Sequence, residues 1–81
     1  MVDVTLWSGL RPLADHQEVV HVEARTIREL LRKLAERYPG LRDPIRGQVA
    51  VAVDGVIFRD DWSQELPEDA EVMLIRRIPG G

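Results

Sequence analysis

A single amphipathic stripe, set between segments that alternate apolar and polar residues, constrains this chain more than any other feature. Ile27, Leu30, Leu31, Leu34, Ala35 and Tyr38 recur at helical spacing, while Arg28, Glu29, Arg32, Lys33, Glu36 and Arg37 fill the opposite side. Thr26 followed three residues later by Glu29 is a capping-box signature, which satisfies two otherwise unpaired amides at a helix start. Pro39-Gly40 closes the pattern. A lone helix cannot bury its apolar face by itself, so the flanking segments must supply the surface it packs on.

Those segments read as strands. Val2-Asp3-Val4-Thr5-Leu6 alternates apolar with polar residues, and Trp7 then falls on the non-core side. Residues 8–15 hold the Gly and Pro of a connecting turn, and Glu18-Val19-Val20-His21-Val22 returns as the second arm of a hairpin. Beyond the helix, residues 39–47 read as a loop. Gln48-Val49-Ala50-Val51-Ala52-Val53 alternates large with small side chains, and Asp54-Gly55 signals a tight turn before Val56-Ile57-Phe58. Residues 59–70 are polar and include Pro67, so they read as a loop with Leu66 and Trp62 tucked inward. Residues 71–78, from Glu71 to Ile78, form the last strand.

The order hairpin, helix, hairpin and final strand predicts an α+β chain of the β-grasp type. It implies a mixed sheet of four to five strands with one main helix packed on one face and the last strand beside the first. A ferredoxin-like arrangement needs a second helix, which the periodicity does not show. Residues 1–78 form one domain on this reading, and Pro79-Gly80-Gly81 is a flexible C-terminal tail. Glycine makes up roughly 7% of an average sequence, so a chance Gly-Gly ending is expected in about one chain in two hundred. Without side chains, Gly80 and Gly81 could thread a slot too narrow for other residues and present the carboxylate of Gly81. The alternative is a frayed terminus or a cloning remnant.

Composition excludes several chemistries. With 81 residues and 44% hydrophobic content, the chain suits one small core. It has no cysteine, hence no disulfide, thiolate nucleophile or cysteine-ligated metal. His16 and His21 lack a matching third ligand, so no metal is expected and both read as surface residues. No glycine-rich phosphate loop follows a strand, and Ser8 and Ser63 have no nucleophile-elbow context. The acids Asp60, Asp61, Glu65, Glu68 and Asp69 read as a solvated loop surface. A net charge of −3 with mixed signs disfavours a nucleic-acid binder, and apolar runs of only a few residues argue against membrane spans and secretion. A cytoplasmic protein that is not itself an enzyme is the expectation. Arg76 and Arg77, before the tail, could steer an acidic partner.

A family resemblance rests on the conjunction of several segments. Val4-Thr5-Leu6-Trp7 followed by Leu10-Arg11-Pro12-Leu13, the helix ending in Tyr38-Pro39, the Val51-Ala52-Val53-Asp54-Gly55 turn and Glu71-Val72 before Gly80-Gly81 together resemble the MoaD/ThiS family of ubiquitin-like sulfur carriers. The resemblance covers essentially the whole chain. It implies that the Gly81 carboxylate is adenylated, with ATP, by a ubiquitin-activating-type adenylyltransferase and then converted to a thiocarboxylate. It further implies sulfur delivery to a synthase such as a molybdopterin synthase large subunit, with no cofactor bound by the carrier itself. Pro79 and Gly80 would thread the partner's site, and Trp7, Ile75, Arg11, Arg76 and Arg77 would meet the partner. Asp69-Ala70-Glu71-Val72 departs from the Gly-Asp-Glu-Val common in molybdopterin-type carriers, and Pro12 follows Arg11 where an acid is common. Thiamine or cysteine synthesis, a ubiquitin-like modifier and a plain binding module therefore stay open beside the molybdopterin branch.

Overall fold

The computed structural model describes residues 1–77. The tail expected at residues 79–81, and Ile78 of the expected last strand, lie outside the described residues. Five strands, β1 (Val2–Leu6), β2 (Val19–Val22), β3 (Val49–Val53), β4 (Val56–Phe58) and β5 (Glu71–Arg76), form one sheet in the order β2-β1-β5-β3-β4. β1 and β5 run parallel in the register Asp3↔Glu71 to Leu6↔Leu74, and the other pairs are antiparallel. The last strand thus lies beside the first, at the centre of a mixed sheet, which is the β-grasp arrangement.

Helix α1 (Ile27–Arg37) covers one face. Its buried residues Ile27, Leu30, Leu31 and Leu34 meet Val2, Val4 and Leu6 of β1, Val20 and Val22 of β2, Val49, Val51 and Val53 of β3, and Val72 and Leu74 of β5 in one core. Register and burial agree, because alternate residues of each strand point to this side. The capping box is formed: Thr26 Oγ1 accepts from the Glu29 amide at 3.2 Å, and Glu29 Oε1 accepts from the Arg25 amide at 2.8 Å. The loop expected at residues 59–70 completes this helix start. The carbonyls of Gln64 and Trp62 accept from the amides of Ile27 and Arg28, at 3.0 and 2.8 Å, while Leu66 is buried and Trp62 half-buried. The donors of the first turn are therefore spent inside the fold, leaving no open anion site there.

Residues 39–47 correct the expectation of a loop. A 3-10 turn at Pro39–Leu41 leads into a short helix, α2 (Arg42–Gly47). Pro39 ends α1 as read and also opens the 3-10 turn, and Pro44 lies in the first turn of α2, where the missing N–H has no intrahelical partner to lose. Leu41 is fully buried and Ile45 packs on the core, so the segment extends the cover begun by α1. A second 3-10 turn, Arg11–Ala14, lies within the β1–β2 connection and buries Ala14. Asp54 and Gly55 adopt left-handed φ values of 48° and 89°, the pair a tight hairpin needs between β3 and β4. Asp54 Oδ1 also accepts from the Glu71 amide at 2.9 Å, tying that turn to the start of β5.

The outer edge of β2 is occupied by side chains from the helix. Lys33 Nζ donates to the Glu23 carbonyl at 2.5 Å and Arg37 to the His21 carbonyl at 3.1 Å. Unpaired edge carbonyls template unwanted strand addition, and these two cations occupy them.

Candidate functional site

Among the described residues, no helix covers the second face of the sheet. Pairing places Ala50 opposite Ile75, and Ala52 opposite both Met73 and Ile57, all on this side. Ala50 and Ala52 are buried although no element covers them, because their short side chains sit between longer neighbours. The result is a furrow along β3, flanked by Met73 (41% exposed) and half-buried Ile75 on β5 and by Ile57 (57% exposed) on β4. Toward β2 the same face turns polar, with Asp3, Thr5 and His21, and Asp3 pairs with His21 through Nδ1. A contiguous apolar surface rimmed by polar residues is the form of a protein-docking site.

Trp7 stands at the end of this face. Its amide donates to the Leu74 carbonyl at 3.3 Å, continuing the β1–β5 register so that Trp7 follows alongside Ile75. The indole is half-buried and packs against the core, and it lies over Gly9, where an added Cβ would stand 2.5 Å from Nε1. Trp7 therefore both closes the end of the core and borders the open face. Leu74, the alternative outward residue had the register slipped, is fully buried, which leaves Ile75 as the β5 residue on the open side.

The two arginines ahead of residues 78–81 differ. Arg76 is exposed. Arg77 is held twice: its amide donates to the Gln48 carbonyl at 2.9 Å, and its guanidinium grips Asp60, with Nη1 3.0 Å from Oδ1 and Nη2 3.3 Å from Oδ2. Trp7, Gly47, Gln48, Arg76 and Arg77 line a cleft of about 360 Å3 where the described chain ends. Arg11 belongs to the β1–β2 connection, where its Nε donates to the Leu6 carbonyl at 3.1 Å and its Nη2 lies 3.8 Å from Glu18. Structure thus gathers Trp7, Ile75, Arg76 and Arg77 at one end of the sheet, while the side chain of Arg11 braces the hairpin next to it. Pro79, Gly80 and Gly81 lie outside the described residues.

Sequence reading missed Met73, Ile57 and the alanine furrow as members of this face. The signal was present in the large–small alternation of β3 and in Val56-Ile57 directly after a two-residue turn, where one of the pair must face away from the core. Among the described residues no cluster of three or more His, Asp or Glu side chains could hold a metal, and no helix is long and apolar enough to cross a membrane.

The ThiS family model matches residues 4–81. No curated protein matches the chain by sequence. Among solved structures, the Amycolatopsis orientalis BexX/CysO complex contains a chain that superposes with a TM-score of 0.84 at 17% identity, with 100% of both chains covered. The small archaeal modifier protein 1 of Methanosarcina acetivorans gives 0.80 at 19% identity, covering 99% of this chain and 95% of that one. A chain of the complex of subunits 1 and 2 of molybdopterin-converting factor from Helicobacter pylori gives 0.69 at 21% identity, covering 99% and 97%. These likenesses establish the β-grasp, ubiquitin-like fold.

Proposed function

The chain belongs to the ThiS family, and on that premise we propose that it is a sulfur carrier whose Gly81 carboxylate is activated and converted to a thiocarboxylate. A carboxylate is a poor electrophile. Adenylation with ATP releases pyrophosphate and gives the Gly81 carbonyl an AMP leaving group, which a sulfur nucleophile supplied by the partner then displaces. The carrier contributes position rather than acid–base chemistry, in keeping with a chain that has no cysteine. Its partners on this reading are a ubiquitin-activating-type adenylyltransferase and a sulfur-accepting synthase, and its setting is the cytoplasm. Molybdopterin synthesis is the pathway proposed, and the likeness to a chain of the molybdopterin-converting factor complex supports it.

The observation that carries the reading is the meeting of two features at one end of the sheet. The apolar face formed by Ile57, Met73, Ile75 and the β3 alanines runs toward Trp7, and β5 leads out beside it into residues 78–81, which end in Gly80-Gly81. A partner seated on the face would lie beside the end of β5, which residues 78–81 follow in sequence. Other chains of this fold occur in complexes, the BexX/CysO pair and the two molybdopterin-converting factor subunits among them.

Mass spectrometry of the protein isolated from its native cell tests this. Replacement of one oxygen by sulfur at Gly81 supports the carrier. Diglycine-branched lysines on other proteins would instead identify a modifier, and an unaltered terminus with no conjugates would leave a binding module. Gly81→Ala is expected to obstruct sulfur loading in a folded protein, and normal loading of that variant would count against the mechanism.

A further inference from the structure

The ion pair between Asp60 and Arg77 joins residues 17 apart in sequence, from the loop after β4 and the end of β5, across the start of β3. Both oxygens of the carboxylate face both terminal nitrogens of the guanidinium, a fork geometry that fixes orientation as well as distance. The Arg77 amide is bonded to Gln48 at the same time, so backbone and side chain of one residue are anchored to two different segments. With the Asp60 side chain largely exposed, the pair contributes at most about 1 kcal/mol to stability, roughly a fivefold factor in the folding equilibrium. Its effect is directional, and here the direction concerns the last described residue before the chain's final four.

We infer that Asp60 is a positioning residue: by gripping Arg77 it fixes the position and orientation of the residue that residues 78–81 follow, and so the origin from which they are presented to an activating partner. The inference rests on the carrier reading for its consequence. Four residues, fully extended, span at most about 14 Å, so the place and heading of Arg77 set the volume that the Gly81 carbonyl can reach. With the fork released, the side-chain anchor is lost and the backbone bond to Gln48 alone holds Arg77, so that origin is held less firmly. Arg76, exposed and without a corresponding fork among the described residues, stands ready to meet the partner's surface.

The test compares the wild-type chain, Asp60→Asn, and the conservative Asp60→Glu, which can re-form the fork while leaving Arg77 intact. Two readouts are taken: 15N relaxation of the Arg77 amide in the isolated protein, and ATP–pyrophosphate exchange catalysed by the adenylyltransferase of the same organism. Asp60→Asn is expected to increase amide motion at Arg77 and raise KM about two- to fivefold, with kcat unchanged and the melting temperature lowered by no more than a few degrees. Asp60→Glu should keep both readouts near wild type. An unchanged amide and unchanged KM in Asp60→Asn would overturn the inference. So would a raised KM in Asp60→Asn with an unchanged Arg77 amide, because the partner would then be reading Asp60 directly. Should the wild-type chain support no exchange while the amide still responds to Asp60→Asn and not to Asp60→Glu, the carrier reading falls and the grip of Asp60 on Arg77 stands.

Discussion

The two faces of the sheet are written in the same strands, one residue apart, yet they differ in nearly every physical respect. On the helix side β3 presents Val49, Val51 and Val53, and β5 presents Val72 and Leu74, all buried beneath α1. On the other side the same strands present Ala50, Ala52, Met73 and Ile75, a shallow surface that nothing in the described chain covers. The first face is filled with branched side chains that interlock with a helix. The second keeps its central row short and its flanks long, which leaves relief for another molecule to fit. Burial against the chain's own helix stabilises the fold, whereas the apolar area left on the other side serves association.

That contrast can be broken most forcefully from the covered side. Leu34→Ala removes a fully buried side chain from the helix–sheet seam and is expected to cost about 2–5 kcal/mol in denaturant unfolding. A cost under about 1 kcal/mol would show that the seam is loosely packed. On the open side the expected sign of the difference reverses. Ile75→Asp should lower affinity for an activating partner by about 2 kcal/mol, roughly thirtyfold, while changing unfolding free energy by about 1 kcal/mol or less. Calorimetry of the complex alongside urea melts of the free chain measures both, and a large loss of stability with unchanged affinity would place Ile75 with the core. Thr26→Ala probes how far α1 depends on its cap. The loss should be about 1 kcal/mol, because loop carbonyls still satisfy the neighbouring amides. Gly9→Ala is the mildest change. It should displace the indole of Trp7 and shift its fluorescence at a cost below about 1 kcal/mol, sharpening whether Trp7 belongs to the core or to the docking face.

Local chemistry explains which parts of this arrangement were legible in the chain. Thr26 with Glu29, the stripe from Ile27 to Leu34 and Asp54-Gly55 each act through neighbours within a few residues, so their signals survive in sequence and their geometry is as read. Pro39 ended α1 as read, but the helix at Arg42–Gly47 was missed because six residues are too few to show a periodic stripe. The parallel pairing of β1 with β5 followed from the order of elements rather than from any motif. Asp60 and Arg77 could not be matched in advance, since each sits in a run of charges and only the meeting of loop and strand end selects that pair. Ile57 and Met73 were missed for a related reason: alternation puts each on a side of its own strand, but only the pairing of β4 and β5 with β3 brings them together around the alanines.

The parallel alignment of the first and last strands also separates the start of β1 from the end of β5. Both strands start at one pole of the sheet and finish at the other, so Val2 and Arg76 are separated by the length of a strand, on the order of 15–20 Å. Anything grafted ahead of Met1, whether an affinity handle, a fluorophore or a carrier protein, projects away from the pole at which β5 ends. Labelling at the amino end should leave the opposite pole open to visitors.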